Sequence, residues 1–172
     1  LHWAKQPDIV HCHDHQAGLI PFIMKHCYDY QKLQSIKTVL TIHNAQYHGN
    51  MGWDKSILIP KWESWKHGLL EWDNNINSLA TAVKCADKVT TVSPSYMHEL
   101  KWHSNGLESL FEYEQGKCTG ILNGIDNEIW NPATDSMVPF HYNINDVIAG
   151  KRKNKQLLCD RYHLNMDKPL IV

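Results

Sequence analysis

Residues 7–21 read PDIVHCHDHQAGLIP, and this stretch decides the fold. A short run from Asp8 to Val10 leads into four polar side chains, His11, His13, Asp14 and His15. Gln16, Ala17 and Gly18 follow, and a second apolar run begins at Leu19. The pattern predicts a buried strand over Asp8–His13 that ends in a polar loop and turns directly into a helix. In an open α/β sheet, ligands sit just outside the carboxyl ends of the strands. A polar cluster at the end of an apolar strand is therefore the first place to look for chemistry.

Working outward, Leu19, Phe22, Ile23, Met24 and Cys27 form a broad helical stripe, which predicts a helix from His15 to Tyr30. Pro21 falls in its first turns, where proline is tolerated. Lys37–His43, KTVLTIH, is β-branched and apolar and predicts a second strand. Two such strands joined by one helix make a βαβ unit, hence a parallel pair with a right-handed crossover. NAQYHGNMGWD reads as a loop, and Lys61–Glu71 reads as a helix carrying Trp62, Trp65, Leu69 and Leu70. In WDNNINSLATAVKCADKV the residues Ile76, Leu79, Ala80, Val83 and Ala86 recur at helical spacing. Beyond lie a strand over Lys88–Val92, helices over Ser95–His103 and Leu107–Tyr113 separated by an Asn105-Gly106 turn, and a fourth strand over Thr119–Leu122. An irregular stretch from Asn131 to Pro139 precedes a charged helix over Asn145–His163, and Leu170–Val172 opens a further strand. The fold class is α/β, a parallel sheet flanked by helices.

Composition narrows the function classes. The chain has 172 residues, 42% hydrophobic and 20% charged, an ordinary globular mixture. A formal charge of -1 gives no long-range attraction to nucleic acid or to an anionic membrane, and neither partner is expected. No apolar run approaches a membrane span, and Leu1–Lys5 reads as the tail of a helix rather than a signal peptide. Five scattered cysteines without a CxxC pair suit reduced thiols in a cytoplasmic protein. Both ends look cut, and the chain is expected to be a piece of a longer protein.

The polar residues gather at strand ends: His13-Asp14, His43-Asn44, Ser93-Pro94 and Asn123-Gly124. Parallel strands bring all four ends to one edge, where they line a crevice for a small polar ligand. A metal is not expected there. Strand alternation sets His11 and His13 on one face and Cys12 and Asp14 on the other, so no ligand set converges. His11 reads instead as a packed, hydrogen-bonded core histidine. The tryptophans Trp53, Trp62, Trp65 and Trp72 read first as packing, with stacking on sugar rings as the alternative. The run Lys151-Arg152-Lys153 with Lys155 reads as a solvated helix face.

Four blocks, in order, resemble the bacterial glycogen synthases and plant starch synthases. HCHDHQAGLIP is similar to that family's HxHDWHxGLxP loop, and TIHNAQYHG to its TxHNxxYQG loop. ADKVTTVSPSYMHEL resembles ADxxxTVSPxYAxEL, and GILNGIDNEIWNPATD resembles GxLNGIDxxxWxPxTD. The resemblance implies a retaining glucosyltransferase of the two-domain, Rossmann-like architecture called GT-B. Residues 1–130 would then be the second half of the N-terminal domain, 131–168 the interdomain linker and helix, and 169–172 the start of the C-terminal domain. It implies transfer of glucose from ADP-glucose to an α-1,4-glucan without metal or other cofactor. Asp14 and Gln16 would sit at the sugar, Asn44 and Tyr47 near the acceptor, and Ser93 and Asn123 at the cleft floor. The catalytic set would be incomplete in this stretch, which alone is expected to be inactive. The chain departs from the pattern at Gln16, where many members have His, and at Ala80, where many have Lys. A sucrose- or trehalose-phosphate-type synthase and a non-catalytic glucan-binding relative are the alternative readings.

Overall fold

A computed structural model describes residues 6–171; Leu1–Lys5 and Val172, where a helix tail and part of a new strand were expected, lie outside the described residues. The chain forms two compact units that part between Asn123 and Gly124, upstream of the boundary drawn at Trp130.

The first unit contains strands β1 (Ile9–His13), β2 (Lys37–Ile42), β3 (Asn50–Met51), β4 (Glu71–Trp72), β5 (Asn75–Asn77), β6 (Lys88–Thr91) and β7 (Cys118–Gly120). Its helices are α1 (Ile20–His26), α2 (His67–Leu70), α3 (Ser78–Cys85), α4 (Pro94–Glu99) and α5 (Glu108–Tyr113). Four strands pair in parallel in the order β1-β2-β6-β7. Alternation along β2 explains the layering: Thr38, Leu40 and Ile42 are buried on one face, while Lys37, Val39 and Thr41 point to the other. On the buried face Cys12, Leu40, Ile42 and Val89 pack with Leu79 and Val83 of α3, Leu100, and Phe111 of α5. Each such fully buried aliphatic side chain contributes about 1.5–3 kcal/mol. A second cluster joins Phe22, Cys27, Ile59, Leu70, Ile76 and Cys85. Trp62 meets Phe22 edge to face there, at 6.0 Å between centroids, while Trp65 is 72% exposed.

Three elements of the first unit differ from the sequence expectation, each because of pairing with another segment. The helix expected over His15–Tyr30 is broken into a 3-10 turn at His15–Ala17, then α1, then a 3-10 stretch at Tyr28–Leu33. Cys27 is extended and bridges Trp62, and the Tyr28 N–H donates to Lys61 O at 3.0 Å, so tertiary pairing interrupts the helix. The helix expected over Lys61–Glu71 shrinks to a 3-10 turn at Ser64–Lys66 and α2, because Glu71 and Trp72 enter an antiparallel hairpin with β5. Asp73 and Asn74 turn that hairpin with φ of 52° and 61°, the conformation that two-residue hairpins favour. The next helix consequently begins only at Ser78, where Asn77 Oδ1 accepts the Ala80 N–H at 2.8 Å as its N-cap. β3, β5 and β4 form a small antiparallel sheet that hydrophobic periodicity did not reveal.

In the second unit, α6 (Val147–Tyr162) ends on a left-handed His163 with φ 55°. The segments on both sides of it fold back on the helix, the preceding one with Asn154 Nδ2 donating to Phe140 O at 2.7 Å and the following one with Lys155 Nζ donating to Met166 O and Lys168 O. Lys151, Arg152 and Lys153 are exposed on this helix. Leu170 and Ile171 are irregular, not a strand.

One polar group ties the layers of the first unit. Asp87 Oδ2 accepts from Lys25 Nζ at 2.8 Å, Thr38 N at 2.8 Å and Thr38 Oγ at 3.0 Å, joining α1 and β2 to the segment after α3. Burial raises the Asp87 pKa, but the hydrogen bonds from Lys25 and Thr38 outweigh it and hold the carboxyl well below the usual carboxylate range. A depressed folded pKa contributes stability that is fully present above the unfolded value and lost as pH falls through the folded one. Asp87→Ala is therefore expected to cost about 2–3 kcal/mol at neutral pH, with the deficit shrinking below about pH 4. Denaturant titration of both proteins across that range checks it.

Candidate functional site

Parallel pairing puts the carboxyl ends of β1, β2, β6 and β7 on one edge of the sheet. Asp14, the residue after β1, has φ 52° and ψ -167°, a backbone conformation that a non-glycine residue adopts at a cost of about 1–3 kcal/mol. Its own N–H is paired to Thr41 O at 2.9 Å. Its Oδ1 accepts the backbone N–H of His43 at 2.7 Å and of Asn44 at 3.2 Å. The carboxylate thus fastens the loop after β1 to the loop after β2. Oδ2 carries no hydrogen bond among the described residues and remains an acceptor for a ligand.

The loop after β2 is held at its next amides as well. Asn44 Oδ1 accepts the Gln46 N–H at 2.9 Å, and the Tyr96 hydroxyl accepts the Ala45 N–H at 2.9 Å. Tyr47 is 60% exposed, its ring 6.5 Å from that of His15. Gln16 is exposed in the 3-10 turn His15–Ala17. Ser93 lies beyond β6, where its Oγ accepts the Tyr96 N–H at 3.0 Å and caps α4. Asn123 follows β7 and is exposed. Asp14 and Asn44 are thus directly bonded, Gln16 and Tyr47 belong to the same two loops, and Ser93 and Asn123 sit at the neighbouring strand ends.

The histidines are arranged differently from the expectation. His11 is exposed rather than a core residue, because the face of β1 opposite Cys12 is uncovered in this unit. His11 Nε2 lies 2.6 Å from Thr41 Oγ, and His13 Nδ1 lies 3.0 Å from His43 Nε2. Desolvation and the neighbouring His13 and His43 lower the His11 pKa, which favours neutral imidazole. No group of three His, Cys, Asp or Glu side chains among the described residues is arranged to hold a metal ion. Cys12, Cys27, Cys85, Cys118 and Cys159 are all free thiols, and burial pushes Cys85 up to about 12.

Sequence reasoning missed the platform under both loops, the first turn of α3. Ser78 Oγ donates to His15 O at 2.6 Å, and the Leu79 N–H donates to His48 O at 3.0 Å. Gly18 presses so closely on this turn that a Cβ there would meet the Ser78 carbonyl oxygen. Gly49, at φ 66°, packs against the ring of His15. Ala80 is fully buried in the same helix, so the departure there falls in the core and not on the cleft wall. Nothing local in the sequence names Ser78 as the partner of Gly18.

The fold and this edge define an open α/β domain whose polar strand-end loops gather on one side of the sheet. The family model described as the starch synthase catalytic domain matches residues 1–113. The chain belongs to that family. A glycogen synthase from Flavobacterium johnsoniae is 52% identical over 166 residues, covering 96% of this chain and 35% of that protein. One from Streptococcus agalactiae is 39% identical over 172 residues, covering 96% of this chain and 36% of that protein. The solved catalytic domain of starch synthase IV from Arabidopsis thaliana, bound to ADP and acarbose, matches with a TM-score of 0.73 at 31% identity, covering 96% of this chain and 35% of that one. The chain therefore spans about a third of the length of the curated relatives it matches.

Gly18→Ala is expected to destabilise the unit by about 1–3 kcal/mol, since backbone and not a flexible side chain stands in the way. Gly68→Ala, with open space around its Cβ position, is expected to be neutral or slightly stabilising. Thermal unfolding of the two variants checks the contrast.

Proposed function

We propose that the chain is part of a glucosyltransferase of the glycogen and starch synthase type. The full-length protein transfers glucose from ADP-glucose to the non-reducing end of an α-1,4-glucan with retention, without a metal or other cofactor, in the cytoplasm. One observation carries the reading: the two loops that resemble the family's HxHDWHxGLxP and TxHNxxYQG blocks meet at the carboxyl edge and are joined through Asp14 Oδ1. Family membership and relatives named glycogen synthase support the reaction class. The ADP and acarbose of the Arabidopsis neighbour support a nucleotide-sugar donor and a glucan acceptor.

In this reading the crevice stabilises a departing diphosphate and an oxocarbenium-like centre through donors and acceptors fixed in advance. Asp14 offers Oδ2 to the transferred sugar while Oδ1 holds the adjoining loop. Gln16 supplies a neutral amide donor and acceptor to a sugar hydroxyl, as a neutral histidine would. Asn44 and Tyr47 face the acceptor, and Ser93 and Asn123 shape the floor. No helix among the described residues is long and apolar enough to cross a membrane.

Transfer of labelled glucose from ADP-glucose to glycogen by the full-length protein tests the reading, and no incorporation from any nucleotide sugar would overturn it. Asp14→Ala removes both the loop lock and the sugar acceptor, and is expected to lower kcat/KM by about a hundredfold or more, close to 2.7 kcal/mol. Asp14→Asn keeps an oxygen acceptor and is expected to fall between that variant and wild type. Equally mild effects from both variants would refute the role given to Asp14.

A further inference from the structure

His48 lies late in the loop after β2 and is half-buried. Its carbonyl oxygen accepts the Leu79 N–H at 3.0 Å, from the first turn of α3. Its ring sits between two segments distant in sequence. Nε2 is 3.1 Å from the Ser104 carbonyl oxygen, and Nδ1 is 3.3 Å from Asn77 Nδ2. Asn77 and Ser104 are both buried.

These partners decide where the imidazole carries its hydrogen. A carbonyl oxygen only accepts, so Nε2 must donate. The Asn77 amide cannot turn over to suit the other nitrogen, because its Oδ1 is the N-cap acceptor for the Ala80 N–H at 2.8 Å. Asn77 Nδ2 therefore faces His48, and Nδ1 must accept from it. Both contacts demand the same state, a neutral imidazole with its hydrogen on Nε2. Protonation would set an Nδ1–H against the Asn77 N–H and leave that buried donor without its acceptor.

The ring holds the end of the loop farther along the chain from the Asp14 contact. Asp14 fixes the amides of His43 and Asn44, and Tyr96 that of Ala45. Asn105 Nδ2 donates to Gln46 O at 3.3 Å, and Asn105 follows the Ser104 that meets His48. Tyr47 is thus bracketed by two residues tied to the turn at Ser104–Gly106. That turn is itself fixed: Glu108 Oε1 accepts the N–H groups of Ser104 at 2.8 Å and Gly106 at 3.2 Å, and Trp72 Nε1 donates to Gly106 O at 2.9 Å. The block TxHNxxYQG has Gln where this chain has His48. An amide also offers one donor and one acceptor, but it takes up no proton in this pH range.

We propose that His48 is a positioning residue for the acceptor side of the site. It holds Tyr47 and the end of the loop after β2 only as the neutral Nε2–H imidazole, so that use of the glucan acceptor weakens as the ring takes up a proton. This role rests on the glucan reading above and adds to it a residue that makes acceptor use depend on pH. Histidine is the side chain whose charge ordinarily changes between about pH 5 and 8. The other titratable groups on the segments packed around His48 are Asp73, Glu108, His103 and His15, whose ring lies against Gly49. The Ser104 N–H holds Glu108 below the usual carboxylate range, so it stays charged as histidine titrates. His48→Gln leaves all four in place, and a change of pH profile in that variant belongs to His48.

Steady-state kinetics of the full-length protein with glycogen and ADP-glucose, between about pH 5.5 and about pH 8, test the role in wild type, His48→Gln and His48→Ala. At the upper end, wild type and His48→Gln are expected to share a KM for glycogen within about twofold. At the lower end the wild-type KM is expected to exceed that of His48→Gln by about fivefold or more, with kcat and the KM for ADP-glucose matched within about twofold. His48→Ala is expected to raise the KM for glycogen at both ends. If His48→Ala does not fold, the comparison of wild type with His48→Gln decides alone. Histidine-selective heteronuclear NMR at the upper pH is expected to show His48 carrying hydrogen on Nε2, and hydrogen on Nδ1 instead would overturn the assignment. In an active enzyme, a ratio of wild-type to His48→Gln KM that does not change with pH, or a pH effect confined to kcat, would overturn the role alone. A full-length protein that transfers glucose from no nucleotide sugar would overturn the functional reading, and the role with it.

Discussion

The contact between the Asp14 carboxylate and the backbone N–H groups of His43 and Asn44 is the interaction on which the candidate site depends. A carboxylate that accepts backbone N–H groups makes a charge-assisted bond, about twice as strong as a neutral one. It offsets the unfavourable φ at Asp14 and ties directly together two loops that also rest on the first turn of α3. The strain falls at the end of β1, in the candidate site, and such conformations gather at functional sites. With Oδ1 so held, the direction of Oδ2 is set without any further contact.

Beneath the loops lies α3, buried on nearly every side. A helix so enclosed cannot shift without opening the core formed by Leu79, Ala82 and Val83. The loops resting on its first turn inherit that rigidity through Ser78, Leu79 and the close approach of Gly18. Asp87 anchors the other end of the helix to α1 and β2. The site is thus positioned by the interior of the sheet–helix layer, while the side chains offered to ligand come from the loops above it.

The parallel sheet was legible because β1, β2 and β6 are short apolar runs ended by polar residues, and their shared direction follows from the helices between them. The gathering of Asp14, Asn44, Ser93 and Asn123 at one edge follows from that direction alone. Less legible was everything set by contacts distant in sequence. The hairpin at Asp73-Asn74 hid inside a helical spacing of tryptophans and leucines, although two turn-forming residues stood at its tip. The break at Cys27 depends on Trp62, and the exposure of His11 on which face of the sheet is covered. The roles of Ser78 and Tyr96 arise only once α3 and α4 have packed beneath the loops.

The central claim is that the Asp14 side chain, rather than the strands alone, holds the loop after β2 in place. Hydrogen–deuterium exchange resolved to single amides, on full-length wild type and Asp14→Ala, tests it most directly. The structure predicts that the His43 and Asn44 amides lose protection in the variant, while the Ala45 amide, bonded to the Tyr96 hydroxyl, keeps more of its own. Unchanged protection at His43 and Asn44 would contradict the account.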